Sequence, residues 1–123
     1  MADNRPVGIF DSGVGGLSVL KEVATLLPNE STVFFADQKN IPYGTKNKKT
    51  INNLTSSVAA FLISKNAKAI VIACNTATCY SIEHLRKNFK LPIIGVVPAI
   101  KPAVKIAQRN KIAILATPAT IKS

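Results

Sequence analysis

The stretch Ala69-Ile70-Val71-Ile72-Ala73-Cys74-Asn75-Thr76-Ala77-Thr78 decides the fold. Its apolar, largely β-branched opening has no polar alternation. It reads as a strand buried on both faces, the pattern of a parallel sheet. The polar residues that follow read as a helix start. A thiol therefore falls between the carboxyl end of a strand and the amino end of a helix, the edge at which open α/β sheets hold ligands. The unpaired N–H groups and dipole of a helix amino terminus favour a thiolate over a thiol. Cys74 is thus a candidate reactive cysteine.

The same alternation extends in both directions. Val7-Gly8-Ile9-Phe10 reads as a first strand, and Leu17, Leu20, Ala24 and Leu27 recur at helical spacing until Pro28-Asn29 stops them. Thr32 to Ala36 is a second strand. After a loop with Pro42-Tyr43-Gly44, residues Ile51, Leu54, Val58, Phe61 and Leu62 mark one face of a second helix. Ala69 to Ala73 is the third strand, and Ile82, Leu85 and Phe89 mark the next helix. Pro92 to Val97 is a fourth strand. Ile100, Ala103, Val104 and Ala107 suggest a further helix with Pro98 near its start. Lys111 to Ala116 is expected as a fifth strand. Repeated β-α units predict an α/β fold, an open parallel sheet flanked by helices and joined by right-handed crossovers. The fifth strand has no following helix to cover it. Residues 1–97 are therefore expected to be a first α/β domain lacking its closing segments, and residues 98–123 the beginning of a second, in a truncated chain.

The chain has 123 residues, 47% hydrophobic and 18% charged, which is enough apolar side chain for a core and argues against disorder. No apolar run is long enough to span a membrane, and Met1-Ala2-Asp3-Asn4-Arg5 lacks the apolar stretch of a signal peptide. Cys74 and Cys79 sit too close in one strand–helix unit for a secreted disulfide framework, so a cytoplasmic protein is expected. The formal net charge is +10. Its densest cluster, Lys46, Lys48 and Lys49, falls where a loop enters a helix and has no interleaved aromatic residues to stack on bases. The lysines read as solvated helix faces and not as a nucleic-acid site.

Parallel strands bring three loops to one edge: Asp11-Ser12-Gly13-Val14-Gly15-Gly16, Pro42-Tyr43-Gly44 and Cys74-Asn75-Thr76. The glycine loop does not fit G-x-G-x-x-G, because position 18 is Ser, and it lacks the G-K-[ST] ending of a P-loop. It remains a strand-to-helix turn that offers backbone N–H groups to a small anion. An aspartate there suits an ammonium group or a proton relay. Two readings of Asp11 and Ser12 stand side by side, a helix cap and a functional site. A buried free cysteine is usually a small hydrophobe, but Asn75 and Thr76 add hydrogen-bonding groups beside Cys74. No metal site is expected: Cys74 and Cys79 lack C-x-x-C spacing, and His84 is the only histidine. Cys79 reads as core and His84 as a solvated side chain.

Taken together, the loops resemble those of the glutamate racemases, in the aspartate/glutamate racemase superfamily. The matching stretches are Gly8 to Leu17, Pro42-Tyr43-Gly44, Ala73 to Thr78, Pro92 to Val96 and Thr117-Pro118-Ala119-Thr120, in order along the whole chain. Aspartate racemases tend to carry His where Thr78 stands. The resemblance implies an isomerase that interconverts L- and D-glutamate without a cofactor, supplying D-glutamate for bacterial peptidoglycan and hence for cell shape. It implies two cysteines on opposite sides of the substrate α-carbon, one removing the α-proton as thiolate and the other donating a proton as thiol. By resemblance Cys74 is the first acid/base. Asp11 assists proton transfer or holds the substrate ammonium. Ser12, Tyr43, Gly44, Asn75, Thr76, Thr117 and Thr120 hold the substrate.

Two features depart from that family's pattern. Lys39-Asn40-Ile41 replaces a stretch that usually carries Arg before Pro-Tyr-Gly. The second cysteine, expected in a Gly-Cys-Thr-His segment of a chain about twice as long, is absent. The chain thus resembles the amino-terminal part of such an enzyme, with little or no turnover expected of it alone. The partners implied are a small-molecule substrate, glutamate, and a second copy in a candidate homodimer, with no membrane. The rival readings are a racemase of aspartate or another amino acid, and a non-catalytic basic binding fragment.

Overall fold

One of the two inner strands of the sheet is β1 (Val7–Asp11), an unbroken buried segment. The computed structural model describes residues 3–107 and 111–122. Met1, Ala2, residues 108–110 and Ser123, which the expected domain ranges include, lie outside the described residues. After β1 come α1 (Leu17–Leu26), β2 (Thr32–Ala36), two short 3₁₀ turns (Gln38–Asn40 and Tyr43–Thr45) and α2 (Lys48–Ser64). Then follow β3 (Ala69–Ile72), α3 (Asn75–Asn88), β4 (Ile93–Gly95), α4 (Ile100–Ile106) and α5 (Pro118–Ile121). The strands form one parallel sheet in the order β2-β1-β3-β4. The chain is an α/β fold with an open parallel four-stranded sheet and flanking helices.

Strand register sorts the side chains onto two faces. Phe10 stands beside Phe35 and Ile72, and Ile72 beside Gly95. This face packs against α2 and α3 in a core that includes Phe10, Ile51, Val58, Leu62, Ile70, Ile72 and Leu85. The helices are placed there by their ends. Asn47 caps α2 by accepting the Thr50 N–H at 2.9 Å, which satisfies one of the unpaired donors of the first turn. At the other end Asn66 adopts φ 64°, and the Ala67 N–H returns to the Leu62 carbonyl at 3.1 Å. This left-handed stop suits asparagine. It directs the chain straight into β3. Arg86 of α3 donates twice to the Ile93 carbonyl, at 2.9 and 3.1 Å, and so fixes the edge strand β4.

The opposite face is less covered. Val7 and Ile9 are buried, but Ile94 on β4 is 51% exposed. No residue of α1 is buried, and Leu17, Leu26 and Leu27 are all exposed. The apolar spacing of Leu17, Leu20, Ala24 and Leu27 thus predicted the helix but not its packing. On α2, Phe61 is also largely exposed, though its ring lies 5.1 Å from that of Phe35.

Two strand expectations need correction. β4 covers Ile93–Gly95 and not Pro92 to Val97. Only one further bond, Val96 N–H to the Ile72 carbonyl at 3.1 Å, continues its ladder. Residues 111–116 form no strand. Their β-branched composition favours extended chain, but a strand exists only where a neighbour pairs its backbone groups. Among the described residues this segment has no ladder partner, and Ile114 and Leu115 are exposed. Among the described residues no helix is long and apolar enough to cross a membrane.

Candidate active site

Cys74 is the N-cap of α3. β3 ends two residues earlier, and the Ala73 N–H still bonds the Phe10 carbonyl at 2.8 Å, so the sheet fixes where the thiol emerges. The Ala77 N–H donates to Cys74 Sγ at 3.4 Å, and the Thr78 N–H to its carbonyl at 2.9 Å. Ser12 Oγ lies 3.5 Å from Sγ. The side chain is buried but for 7% of its surface. The sulfur therefore replaces the usual oxygen of a cap, with one backbone N–H directed at it and the Ser12 hydroxyl beside it.

Asp11 holds the glycine turn and also borders a cleft, without capping α1 itself. Its Oδ2 accepts the Gly16 N–H at 2.8 Å and its Oδ1 the Ser12 N–H at 2.8 Å, so the carboxylate organises the glycine turn. The same residue lines a cleft of about 640 Å³ together with Cys74, Asn75, Thr76, Thr117 and Thr120. A carboxylate oxygen has room for a second donor, so Asp11 retains acceptor capacity toward that cleft. Three threonines form its far side. Thr76 Oγ1 and Thr117 Oγ1 are 2.8 Å apart, and Thr117 and Thr120 are 3.3 Å apart.

The loop 38–45 supplies none of the residues that line this cleft; it packs behind Thr117. Tyr43 is 2% exposed, and its hydroxyl donates to Asp37 Oδ2 at 2.6 Å. Burial first, and the Asp37 carboxylate second, push the phenol well above the ordinary tyrosine range; the nearby Cys74 and Asp11 add to the same push. Gly44 is needed for its size: a Cβ there would stand 2.8 Å from Thr117 Cγ2.

Of the expected site residues, Asp11, Cys74, Asn75, Thr76, Thr117 and Thr120 share the cleft. Ser12, Tyr43 and Gly44 do not line it: Ser12 touches Cys74, Gly44 abuts Thr117, and Tyr43 is bound to Asp37 in the buried cluster that includes Cys74. Thr78 is directed inward instead, with its hydroxyl 3.4 Å from the Ile72 carbonyl. Ser18, Val96, Val97, Pro98 and Ala99 also line the cleft. Sequence reading missed them because Val96 to Ala99 enter where β4 releases the chain, and Ser18 enters from the first turn of α1. It also missed Asp37, although an acidic residue directly after an apolar strand at this sheet edge was a usable signal. Cys79 is half-buried and not core, with Sγ 4.0 Å from Thr120 Oγ1. His84 is not simply solvated: its Nε2 lies 3.0 Å from Ser56 Oγ and ties α3 to α2. Among the described residues no group of His, Cys, Asp or Glu is placed to hold a metal ion.

Residues 8–123 match the family described as Asp/Glu/Hydantoin racemase. The chain belongs to that family. Among racemase relatives, the glutamate racemase of Clostridium botulinum (strain Kyoto / Type A2) is 52% identical over 119 residues, covering 97% of this chain and 46% of the relative. The fold is similar to that of the Escherichia coli glutamate racemase solved with L-glutamate and the activator UDP-MurNAc-ala, with TM-score 0.89 and 39% identity over 97% of this chain and 46% of that one. It is also similar to the Francisella tularensis glutamate racemase solved with D-glutamate, with TM-score 0.78 and 39% identity over 98% of this chain and 46% of that one. The chain spans about half the length of the racemases it matches.

Proposed function

We propose that this chain carries one side of the active site of a cofactor-independent glutamate racemase, with Cys74 as one of two acid/base cysteines. The observation that carries the reading is the Cys74 thiol. It caps α3 and is met by a backbone N–H and a serine hydroxyl, at the wall of a cleft whose other polar groups suit an amino acid. The relatives support the choice of glutamate, since one is solved with each enantiomer.

In this reading the α-ammonium meets Asp11, and the carboxylates meet the hydroxyls of Ser12, Thr76, Thr117 and Thr120, the Asn75 side chain and the backbone at Gly44. The Cys74 thiolate takes the α-proton, forming S–H and breaking Cα–H. The electron pair stays on the α-carbon and delocalises into the carboxylate. A second thiol on the opposite face returns a proton to that carbon. An α-proton beside a carboxylate is very weakly acidic. Positioned proton transfer contributes roughly 10²–10⁴-fold; donors aimed at the developing negative charge, in a site closed to water, supply the rest. The 123-residue chain contains no Gly-Cys-Thr-His segment. Cys79 follows Cys74 on the same helix and cannot face the other side of the substrate. Its own racemase turnover is therefore none or nearly none. The wider role, D-glutamate supply for the peptidoglycan of a bacterial cytoplasm, belongs to the same proposal, as does the division into a first unit over 1–97 and a second starting at 98.

Amide NMR of the chain titrated with L-glutamate, D-glutamate and L-aspartate tests this. Glutamate should perturb Cys74, Asn75, Thr76 and Gly16 at lower concentration than aspartate does. Preference for aspartate would replace glutamate by that rival. Perturbation centred on Lys46, Lys48 and Lys49 instead of the cleft would favour a basic binding fragment.

A further inference from the structure

Asp37 is a buried carboxylate that the proposed chemistry does not use. It is 6% exposed, and none of the ion pairs among the described residues includes it. A buried charge without a cation is costly unless hydrogen bonds satisfy it. Here they do: Oδ2 accepts the Tyr43 hydroxyl at 2.6 Å, and the Asn40 amide donates to Oδ1 at 2.8 Å and to Oδ2 at 3.1 Å. Its backbone N–H donates to the Asp11 carbonyl at 2.9 Å. Asp37 therefore joins the end of β1, where Asp11 stands, to both short turns of the loop 38–45.

The connection continues to the thiol. Tyr43 and Cys74 belong to the same buried cluster. Gly44 abuts Thr117, whose hydroxyl meets Thr76 two residues after Cys74. We propose that Asp37 is a positioning residue of the candidate site: by holding the Tyr43 hydroxyl it locks the loop 38–45 against Thr117 and keeps Tyr43 in the buried cluster that includes Cys74. A neutral group at 37 would hold Tyr43 less firmly, because hydrogen bonds to a charged acceptor are about twice as strong as neutral ones. The proposal gives Asp37 a place in the racemase reading, but its test uses no substrate, so the two stand or fall separately.

The test follows alkylation of Cys74 and Cys79 by iodoacetamide in the folded chain, read by fragment-ion mass spectrometry, in Asp37→Asn and Asp37→Ala. Cys74 should react on the order of tenfold faster in Asp37→Ala, the factor matching loss of a hydrogen bond to a charged group. Asp37→Asn, which keeps the shape and one acceptor, should fall between that variant and the parent, and Cys79 should be unchanged. Ultraviolet titration should also move the Tyr43 phenol downward in Asp37→Asn, burial still holding it above the ordinary tyrosine range, and comparison with Tyr43→Phe assigns it. If Asp37→Ala does not fold, Asp37→Asn carries both readouts. Reduced stability with Cys74 reactivity and tyrosine titration as in the parent would make Asp37 merely structural and overturn the proposal.

Discussion

Replacing the glycines of the turn 13–16 one at a time separates what the site requires from what the chain tolerates. All the described glycines have φ outside the left-handed region, so the three positions differ only in space. A Cβ at Gly16 would stand 2.6 Å from Asp11 Cβ, 3.0 Å from Ala73 Cβ and 3.2 Å from Phe34 Cε2. Two of these neighbours are Cβ atoms held by the backbone of β1 and the end of β3, and they cannot rotate away. At Gly15 the nearest atom is Asp11 Oδ2 at 3.4 Å, and at Gly13 it is Ile41 Cγ2 at 3.9 Å, both ordinary contacts. Gly16→Ala should cost about 1–3 kcal/mol, the usual range for forcing volume into a packed site. Gly13→Ala and Gly15→Ala should lie within about 0.5 kcal/mol of the parent, or slightly above it through the reduced freedom of the unfolded chain. In a thermal melt followed by circular dichroism, Gly16→Ala should melt roughly 4–12 °C lower. The overlap also displaces Asp11 and its bond to the Gly16 N–H, so Cys74, linked to that turn through Ser12, should show altered amide shifts. A Gly16→Ala variant as stable as Gly13→Ala would refute this reasoning.

Two further predictions concern groups away from the thiol. Tyr43→Phe removes one donor from buried Asp37 and should cost about 1.5–3 kcal/mol at neutral pH. The folded chain holds the Tyr43 proton above the pH at which an unfolded tyrosine, of pKa about 10, releases it. The unfolded state then binds fewer protons, so this contribution is complete below that pH and falls by up to about 1.4 kcal/mol per unit above it. Urea melts of parent and variant should converge as pH rises past about 10; a constant gap would contradict the assignment. Lys68 pairs with Glu30 Oε2 at 2.5 Å and donates to the Asp3 carbonyl at 2.6 Å, anchoring the chain before β1. Lys68→Met should lower stability by about 1 kcal/mol, with the difference shrinking at high salt in the same melts.

Much of the fold was legible because strand and helix carry different hydrophobic periods. The β3 run and the helix start after Cys74 each place an element boundary within a residue or two. What was not legible depends on neighbours. α1 has a regular apolar stripe yet no buried residue, because periodicity specifies a face and not what covers it. Residues 111–116 have strand composition and no described strand to pair with. In the site, the loops at the sheet edge announced Asp11, Cys74 and Thr76, since parallel topology alone brings those ends together; Thr117 and Thr120 came from the family resemblance, because no described strand leads into them. The roles of Asp37 and of the inward-facing Tyr43 follow from one side-chain hydrogen bond, and such bonds leave no periodic trace in a sequence.

The central claim is that Cys74 is the acid/base on one side of a glutamate α-carbon. Incubating the purified chain with L-glutamate or D-glutamate in deuterated water, beside Cys74→Ala, tests it most directly, with α-deuteration read by NMR and conversion between enantiomers by a coupled assay. A single thiol that takes the α-proton and returns a deuteron on the same face should exchange one enantiomer slowly, spare the other and racemise neither to any useful extent. Cys74→Ala should abolish the exchange. Deuteration no greater than in Cys74→Ala would remove the base assignment, and racemisation by the 123-residue chain at a rate typical of an enzyme would contradict the need for a second cysteine.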